Sequence, residues 1–443
     1  MRNVLVVDYA GRGHAFADLF VRTNPDVTAH YAPGSAAITE ERIVAVPRLT
    51  LADPRPIVRY AEDVGVDLVL VSNPTALSNG FIDAFRAAGL RTIGPDRSAA
   101  RLESSKVFTK ELCRRYGIPT ADYRWFDAPG PAAEHVRAVG APVVVKANGP
   151  CFGNGVFVCE TVAQAETAIE RLMVSKDFGP AGDIILVEEK LVGREMLFFA
   201  LVGGANHLML PMAVDYQRSD DGNQGVMCGG MGAFCPSPDE TPESVARFER
   251  QILRPLLDAI RTERLDYSGV IYVGCFLIGD QLHLIEINAR MGDPEAEVVL
   301  PRITTDFTEV CADILADRLD RQPPLALTGE YLVDVVATQG PTHRPDGGPG
   351  SATYPGWPYG EFGRHYPITG LENIDPGRCR AFHGTTQVLP DLGLVTNGGK
   401  CLHLVGRGDS LEDAAERAYQ AVAEIDFNGI RYRTDIGKVM PWD

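Results

Sequence analysis

Short apolar runs alternate with stretches of helical periodicity over the first hundred residues of the chain. The runs that predict strands lie at 4–7, 67–71 and 92–94, and the stretches that predict helices lie at 15–21 and 81–88. Strands and helices in alternation predict a parallel sheet that is covered on both faces. Because ligands bind beyond the carboxyl ends of such strands, the loops 9–14 and 72–77 are candidate substrate-binding loops.

Strand patterns dominate the middle of the chain. The predicted strands lie at 142–146, 184–188, 196–202 and 207–214, and the predicted helices lie at 103–116, 243–263 and 411–424. The apolar runs 269–277 and 282–288 flank Gly279-Asp280, which is typical of a hairpin turn. The pattern therefore predicts an α/β chain in which a parallel domain precedes a region rich in strands.

Length and composition narrow the class of protein. The chain has 443 residues, 45% apolar and 23% charged, which is typical of a soluble protein of about two to four domains. Its formal net charge of −17 disfavours a nucleic-acid partner, and no apolar stretch approaches a membrane span. The nine cysteines occur singly, without a CxxC pair, which favours reduced thiols in a cytoplasmic protein over disulfides or a zinc ribbon.

The segment 143–156 is a candidate phosphate-binding site. A predicted strand ends at Lys146 and is followed by a loop that carries Gly149, Gly153 and Gly155. Backbone N–H groups of a glycine loop can surround phosphate oxygens while a lysine ammonium supplies positive charge. The alternative is a strand lysine that extends to solvent beside a flexible hairpin, and this segment alone does not decide between them.

The segment 284–295 has the pattern of a metal site. Strand alternation places Glu286 and Asn288 on one face, where two hard oxygen ligands side by side suit Mg²⁺ bound to nucleotide phosphates. Arg290 follows on the same face, where it can neutralise an anionic substrate or a transferring phosphoryl group. Apolar neighbours such as Ile287 favour burial and hence a metal, and a solvated acidic residue on an edge strand is the alternative.

Two further segments bear on nucleotide binding. The connection within 186–195 joins two predicted strands, so its backbone can recognise a purine edge and Glu195 can accept hydrogen bonds from ribose hydroxyls. A charged interstrand loop is the alternative for this connection. Gly11-Arg12-Gly13 lacks the third glycine of a dinucleotide fingerprint, so a strand-to-helix turn is a better interpretation there than NAD binding.

These candidate segments occur in the order that is found in ATP-grasp ligases. Over nearly its whole length the chain resembles the phosphoribosylamine–glycine ligase family, also called the glycinamide ribonucleotide synthetases. The stretches that carry the resemblance are 85–90 (FRAAGL), 105–110 (SKVFTK), 117–120 (GIPT), 229–233 (GGMGA), 285–288 (IEIN), 292–295 (GDPE), 395–399 (VTNGG) and 435–437 (DIG). So many matches in one order argue against chance or convergence.

The resemblance implies an α/β ATP-grasp fold with three domains. These are an N-terminal parallel-sheet domain at 1–101, a grasp domain at 102–325 with a mobile lobe at about 123–191, and a small C-terminal α+β domain at 326–443. ATP and Mg²⁺, with Mn²⁺ as a possible substitute, are the implied cofactors. The implied reaction phosphorylates a carboxylate with ATP, after which an amine attacks the acyl phosphate to give an amide, ADP and phosphate. No cysteine nucleophile is needed, so all nine cysteines are expected to be structural.

The family's functional residues are carried over position by position. Lys106 and Lys146 match the lysines that reach the ATP phosphates, and Lys146 is also expected to act in catalysis. Glu188 and Leu191 match the hinge that meets adenine through its backbone, and Glu195 matches the ribose-binding acid. The other residues implied for this half of the site are Gly153 and Gly155 for ATP, Glu286 and Asn288 for the metal, and Arg290 for catalysis.

Departures from the family pattern lie mainly on the substrate side. The loop at 9–15 lacks a glycine and the glutamate of a Gly-Gly-Arg-Glu-His-Ala pattern, and the loop at 71–76 lacks the ribose-contacting glutamate of Gly-Pro-Glu-Ala-Pro. The segments 215–218 and 225–229 also differ. Asn154 replaces a lysine of the glycine loop, which is expected to weaken ATP binding by about one to two decades. The substrate-binding candidates are Gly11, Arg12, Arg218, Asp221, Gly229, Gly230, Arg290 and Asp293.

An intact nucleotide half beside an altered sugar-phosphate half predicts a diverged amide ligase. It would join an amino acid to an amino-nucleoside or amino-sugar in natural product biosynthesis, such as antibiotic synthesis. The alternative is an authentic phosphoribosylamine–glycine ligase of purine biosynthesis, and a nucleotide-binding regulator without catalysis is a third interpretation that Asn154 alone supports. The expected partners are small-molecule carboxylate and amine substrates, without nucleic acid or membrane, in a cytoplasmic monomer or homodimer.

Overall fold

The N-terminal part of the chain forms a parallel sheet around its apolar runs. The computed structural model describes residues 1–151, 155–343 and 353–441. The five parallel strands lie in the order Ile43–Ala45, Thr28–Pro33, Asn3–Asp8, Leu68–Val71 and Thr92–Ile93. The helices of this part are Gly11–Thr23, Pro54–Asp63, Pro74–Ser78 and Phe81–Ala87. Because the central strand Asn3–Asp8 is buried on both faces, the predicted parallel sheet with covered faces is confirmed.

Two antiparallel sheets follow and enclose a cleft between them. The first has the strand order Tyr123–Phe126, Ile185–Glu189, Val143–Ala147 and Val156–Cys159, with the helices Pro129–Val139 and Val162–Ile169 packed on it. The second has the order Asn206–Met209, Arg194–Gly203, Ser268–Ile278 and Gln281–Asn288. The helices that share the core of the second sheet are Arg101–Ser104, Lys106–Tyr116, Pro242–Phe248 and Arg254–Thr262. The two-lobed grasp that the resemblance implies is therefore present.

A third sheet joins the C-terminal part of the chain to the middle. Its strands lie in the order Val214–Asp215, Gly232–Cys235, Tyr331–Gln339, Lys400–Gly408 and Cys379–His383, with Ile430–Arg431 added to Tyr331–Gln339. The helix Leu411–Glu424 packs on this sheet. The remaining elements are the hairpins Arg218–Asp220 with Gln224–Met227, Thr342–His343 with Thr353–Tyr354 and Thr386–Leu389 with Gly393–Thr396, and the helices Glu295–Val299 and Phe307–Leu315. Strands from both sides of residue 325 thus share backbone hydrogen bonds.

One predicted strand is wrong and one predicted hairpin is confirmed. The stretch 207–214 is not a single strand but two, Asn206–Met209 and Val214–Asp215, because the chain leaves one sheet between them and enters another. The hairpin at Gly279-Asp280 forms as predicted, with Ile278 paired to Gln281 across the turn.

Two predicted helices contain interruptions that periodicity does not show. The helix predicted at 103–116 breaks at Ser105, whose hydroxyl accepts from the Phe108 N–H at 3.3 Å and so caps a new helix. The helix predicted at 243–263 contains a π-helical turn at Glu249–Leu253. The interruption at Ser105 matters for function, because it places the next residue, Lys106, in the first turn of a helix.

The thiols are buried and unpaired. All nine cysteines are free, and eight of them are buried. Burial raises the pKa of Cys113 to about 12, and it also raises the pKa of Cys275. A raised pKa disfavours the thiolate form that a nucleophile requires. Within the described part of the chain, no helix has both the length and the hydropathy to cross a membrane.

Candidate active site

The cleft between the two antiparallel sheets contains most of the candidate nucleotide-binding residues. It encloses about 830 Å³ of empty space, part of which is open to solvent. Its walls include Glu103, Lys106, Lys110, Cys151, Gly155, Glu188, Glu286, Asn288 and Arg290. The fold thus gathers several cationic side chains and a pair of oxygen ligands around one space, which is the composition that a polyphosphate with a metal ion requires.

Glu188 holds together a buried ion-pair network at one wall of the cleft. It is 3% exposed, and its Oε2 lies 2.9 Å from the Lys146 Nζ and 3.2 Å from the Lys110 Nζ. Burial by itself raises the pKa of Glu188, but the two lysines outweigh burial and hold the pKa below its ordinary value. The resemblance uses only the Glu188 backbone, whereas here the side chain also fixes the position of Lys146.

Lys106 enters the cleft from the first turn of its helix. Asn148 orients this turn, since its Oδ1 accepts from the Val107 N–H at 2.9 Å and its backbone oxygen accepts from the Lys106 N–H at 3.2 Å. Burial lowers the pKa of Lys106, and the Glu286 carboxylate opposes that shift. Lys106 and Lys146 therefore come to the same region from different elements, and their contact with ATP phosphates stays a prediction.

Glu286 and Asn288 lie side by side on Gln281–Asn288, on the strand face that lines the cleft. Asn288 Nδ2 donates to Glu286 Oε1 at 3.4 Å, and Arg290 Nη2 donates to Asn288 Oδ1 at 3.0 Å. Glu103 accepts from Arg290 Nη2 at 2.8 Å and from Arg290 Nε at 3.1 Å. The strand alternation thus places the two oxygen ligands together, and Glu103 fixes the orientation of the neighbouring guanidinium.

The chemistry of these donors fits Mg²⁺. A carboxylate and an amide oxygen on one strand face are hard ligands, and Mg²⁺ in nucleotide sites usually takes only one or two protein groups together with water and phosphate oxygens. Glu286 and Asn288 are the residues that would hold the ion. Their neighbours Lys106 and Arg290 are cations, so the space between them suits the negatively charged oxygens of a polyphosphate.

The connection that follows Ile185–Glu189 supplies the other nucleotide candidates. Leu191 is partly exposed within it, and Glu195 lies at the start of the next strand. Gln217 Nε2 donates to Glu195 Oε1 at 3.3 Å. Burial, together with the charge of Glu286, raises the pKa of Glu195 to about 7. Glu195 is thus placed beside the candidate metal ligands, and its contact with ribose stays a prediction.

The glycine loop is described in part. Gly153 and Asn154 lie outside the described residues. Gly155 lies against Cys151, and a Cβ at position 155 would be 2.5 Å from the Cys151 Sγ. Only glycine therefore fits at this end of the loop without a shift of its neighbours.

A second group of candidates surrounds Asp293, where the middle and C-terminal parts of the chain meet. Lys400 Nζ donates to Asp293 Oδ1 at 2.9 Å, to the Asp293 backbone oxygen at 2.6 Å and to the Gly229 carbonyl. Burial opposes ionisation of Asp293, but Lys400, His403 and Arg12 together outweigh burial and hold its pKa well below the ordinary range. A Cβ on Gly230 would lie 2.6 Å from Asp215 Oδ1, so this turn also requires a glycine. Lys400 thus joins two predicted substrate residues, Asp293 and Gly229.

The two candidate substrate loops meet at Asp8, at the end of the first strand. Arg12 Nε donates to Asp8 Oδ2 at 2.9 Å, and Arg12 Nη1 donates to the Met291 carbonyl at 3.4 Å. Asn73, from the second loop, donates to Asp8 Oδ1 at 3.2 Å and caps the helix Pro74–Ser78. The predicted position of both loops at neighbouring strand ends is confirmed, but the Arg12 guanidinium is buried and already paired.

Replacing Gly11 by alanine is expected to disturb the first of these loops. A Cβ at position 11 would lie 2.5 Å from Glu297 Oε1 and 2.5 Å from His403 Cδ2, which is closer than such atoms pack. Overpacking at buried positions costs about 1–3 kcal/mol, so we expect a lower midpoint of urea unfolding and a higher KM for the amine substrate. Gly130→Ala is the control, since nothing lies near its added Cβ. Equal urea midpoints for the two variants would contradict this prediction.

Arg218 and Asp221 lie on a hairpin that contacts the C-terminal segment. Asp221 Oδ1 accepts from the Thr434 N–H at 2.8 Å, and Arg218 Nη1 donates at 2.8 Å to a backbone carbonyl of its own hairpin. Among the described residues, neither side chain has a recorded hydrogen bond to Asp293 or Arg290. The structure therefore does not unite these four candidates into one pocket through direct contacts, and the substrate roles of Arg218 and Asp221 stay predictions.

Three side chains that organise the site, Glu103, Lys110 and Lys400, are not among the residues predicted from the sequence. Lys110 is the last residue of the matched stretch 105–110, and Lys400 directly follows the matched stretch 395–399, so both had a signal in the sequence. Glu103 had no such signal. Its function follows from its contact with Arg290, which is 187 positions away along the chain.

The sequence of the chain is similar to known protein families and to named proteins. Family models described as the N domain, the ATP-grasp (A) domain and the C domain of phosphoribosylglycinamide synthetase match residues 2–103, 104–296 and 351–439. Phosphoribosylamine–glycine ligases of Vibrio cholerae and Rhodopirellula baltica are each 36% identical to the chain, over 98% of its length and 97% of theirs. The similarity therefore extends over nearly the whole length of this chain and of each relative.

Comparison with solved structures gives the same fold. A phosphoribosylamine–glycine ligase of Thermotoga maritima matches with a TM-score of 0.81 and 26% identity, over 98% of this chain and 99% of that one. A biotin carboxylase of Campylobacter jejuni in complex with β,γ-ATP matches with a TM-score of 0.67, over 100% of this chain and 95% of that one. At 16% identity, this second match shows a shared ATP-grasp fold and nothing more.

Proposed function

Because the chain belongs to the phosphoribosylglycinamide synthetase family of ATP-grasp ligases, we propose that it joins glycine to 5-phosphoribosylamine. Family membership makes the protein an ATP-dependent, ADP-forming ligase that creates a C–N bond and uses ATP with Mg²⁺. The proposed product is glycinamide ribonucleotide, an intermediate of purine biosynthesis.

The proposed reaction consists of two displacements. A carboxylate oxygen of glycine attacks the γ-phosphorus of ATP, and ADP leaves. The amine nitrogen then attacks the acyl carbon, phosphate leaves with the acyl oxygen, and the nitrogen loses a proton as the amide forms. Neither displacement requires a nucleophile from the protein, so catalysis depends on positioning and on neutralisation of negative charge.

The cleft contains groups suited to this chemistry. Lys106 and Lys146 would neutralise the phosphates of ATP, and Arg290 would stabilise the charge of the transferring phosphoryl group. Glu286 and Asn288 would hold Mg²⁺, which when bound supplies further neutralisation of the phosphate oxygens. The ion pairs of Lys146 and Arg290 fix their side chains before substrate binds, which lowers the cost of ordering them.

The observation that carries the proposal is full-length similarity combined with an assembled cleft. Similarity at 36% identity over 98% of the chain would also fit a relative that has lost catalysis. Glu286 and Asn288 form a pair of oxygen ligands, and the Arg290 guanidinium is oriented beside them. A regulator that only binds nucleotide needs neither the paired ligands nor the oriented guanidinium. The combination therefore favours a working ligase.

A second candidate keeps this chemistry and changes the amine. The loop after Leu68–Val71 has no acidic residue, and the Asn73 side chain is engaged by Asp8 and by the helix that it caps. A ribose hydroxyl would therefore lack the carboxylate that the family presents from this loop. This observation favours an amine other than phosphoribosylamine, such as an amino-sugar or an amino-nucleoside. The relatives from Vibrio cholerae, Nostoc and Gallus gallus have names that refer to the purine reaction or to purine biosynthesis, and for that reason we place the purine reaction first.

Phosphoribosylamine generated in situ, with glycine and Mg²⁺-ATP, is expected to give one ADP for each amide formed. ADP release would be followed in a coupled assay, and the amide would be identified by mass. Parallel reactions would contain amino-sugars or 5′-aminonucleosides, and omission of glycine is the control. An amide formed only with one of these other amines would replace the first proposal by the second, and ADP formation with none of the pairs would contradict both.

A further inference from the structure

Asp293, Glu297 and His403 form a buried triad outside the ATP cleft. One ligand atom from each of these residues can be chosen so that all three atoms lie within 4.8 Å of one another. Asp293 and Glu297 lie close together on one segment, and His403 comes from the C-terminal strand Lys400–Gly408. The triad thus joins two parts of the chain, and one of its members, Asp293, is also a predicted substrate residue.

His403 has the environment of a metal-bound imidazole. Its Nδ1 lies 2.7 Å from the Asp334 Oδ2, so this carboxylate fixes the ring orientation and the tautomer. Its Nε2 is buried and has no hydrogen-bond partner among the described residues. This free nitrogen lies 3.6 Å from Asp293 Oδ1 and 3.8 Å from Glu297 Oε1. Ligand atoms about 3.4 Å apart are expected around a tetrahedral ion with bonds of about 2.1 Å, so small movements would complete the site.

Glu297 supplies the second and independent indication of a ligand. Its residue exposure is 0%, and neither of its carboxylate oxygens has a hydrogen-bond partner among the described residues. A buried carboxylate without a partner is costly unless a cation or a proton compensates it. Gly11 leaves room here, since a Cβ on it would lie 2.5 Å from Glu297 Oε1 and 2.7 Å from His403 Nε2.

The balance of charge around the triad also calls for a cation. Two cations lie near it, Arg12 and Lys400, and each already has a carboxylate partner. The carboxylates of Glu297 and Asp334 then remain, with the His403 imidazole between them. Burial lowers the pKa of His403, but the neighbouring carboxylates outweigh burial and raise it to about 9. A proton on His403 therefore offsets one of the two negative charges in the metal-free protein, whereas one divalent ion bound through the neutral imidazole would cancel both.

We propose that Asp293, Glu297 and His403 bind a divalent transition-metal ion, with Zn²⁺ as the probe, at a structural site between the middle and C-terminal parts of the chain. One imidazole nitrogen with two carboxylate oxygens is a donor set that suits Zn²⁺, whereas Mg²⁺ prefers oxygen ligands alone. Asp293 Oδ1 can accept from Lys400 and still donate a lone pair to the ion. Asp293 is also a substrate-binding candidate, so metal binding and not activity tests the proposal.

Zinc uptake by the full chain tests this proposal. Protein prepared without a histidine tag would be treated with a chelator, loaded with Zn²⁺, passed through a desalting column and measured by elemental mass spectrometry. We expect one zinc ion per chain, and at least tenfold weaker binding in His403→Asn and in Glu297→Gln. Two matched controls should keep the ion: Glu286→Gln in the ATP cleft, and His207→Asn, whose imidazole pairs with the single carboxylate of Glu249.

A measurement on the unaltered protein keeps the test valid if a variant fails to fold. Loading with Co²⁺ should give a visible absorption spectrum of nitrogen and oxygen ligation, without the intense near-ultraviolet band that cysteine thiolates produce. Absence of bound zinc in the unaltered protein would overturn the proposal and would mean that protons compensate Glu297 and Asp334. Uptake that persists unchanged in His403→Asn, or a thiolate band with Co²⁺, would overturn it as well.

Discussion

Glu286→Gln is expected to lower kcat for ADP formation by about 10²- to 10³-fold at saturating ATP and substrates. The reason is that Glu286 provides the only carboxylate of the two proposed metal ligands, and a neutral amide binds Mg²⁺ much more weakly than a carboxylate does. The loss should be smaller at high Mg²⁺ concentration, because mass action then refills a weakened site. Initial rates of ADP release over a series of Mg²⁺ concentrations would measure both effects.

The same substitution at an exposed position serves as the control. Glu309 lies exposed on the helix Phe307–Leu315, so Glu309→Gln should leave kcat and its Mg²⁺ dependence unchanged. A Glu286→Gln variant that folds normally and keeps full activity would exclude Glu286 as an essential metal ligand. Since Asn288 alone would then remain, the assignment of the metal to this strand face would fail with it.

Glu188→Gln is expected to lower the free energy of unfolding by about 3–5 kcal/mol. The substitution keeps the size of the side chain but leaves the ammonium groups of Lys110 and Lys146 buried without their carboxylate. The affinity for ATP should fall as well, because Lys146 loses the group that fixes its position. Urea unfolding followed by circular dichroism would measure the stability.

Acidification should reduce the difference between Glu188→Gln and the unaltered protein. The folded-state pKa of Glu188 lies below its ordinary value, so the charged carboxylate stabilises the fold at pH values above that ordinary pKa. This contribution is lost as the pH falls through the ordinary pKa and then through the folded-state pKa. A stability difference that stays constant from pH 7 down to about pH 4 would contradict the assigned ion pairs.

Two further variants test whether the stability loss of Glu188→Gln comes from the uncompensated buried charge. Glu189→Gln is the control, since Glu189 is the exposed neighbour of Glu188 on the same strand. The double variant Glu188→Gln with Lys110→Met removes one of the two ammonium groups and should recover part of the lost stability. No recovery in the double variant would mean that the loss does not come from an uncompensated charge.

The local pattern of apolar and polar residues was sufficient to predict which strands carry the nucleotide half of the site, and on which face of a strand Glu286 and Asn288 lie. Glu286 and Asn288 occupy one strand face because side chains alternate with a period of two, and that period can be read without any knowledge of the fold. Lys146 follows an apolar strand run that can be read in the same way, and it pairs with Glu188, which lines the cleft. The parallel N-terminal sheet, the hairpin at Gly279-Asp280 and the helix Leu411–Glu424 are likewise products of local periodicity and turn chemistry.

The partners of the charged side chains were decided by the tertiary structure alone. Glu103 contacts Arg290 across 187 positions and Lys400 contacts Asp293 across 107, and no spacing in the sequence marks either pair. The burial of Glu188 between two lysines, and of Glu297 without a hydrogen-bond partner among the described residues, depends on how sheets and helices pack. Periodicity specifies the direction of a side chain relative to its own strand or helix. The free energy of a buried charge depends on the groups that surround it in space, and only the packed chain brings those groups together.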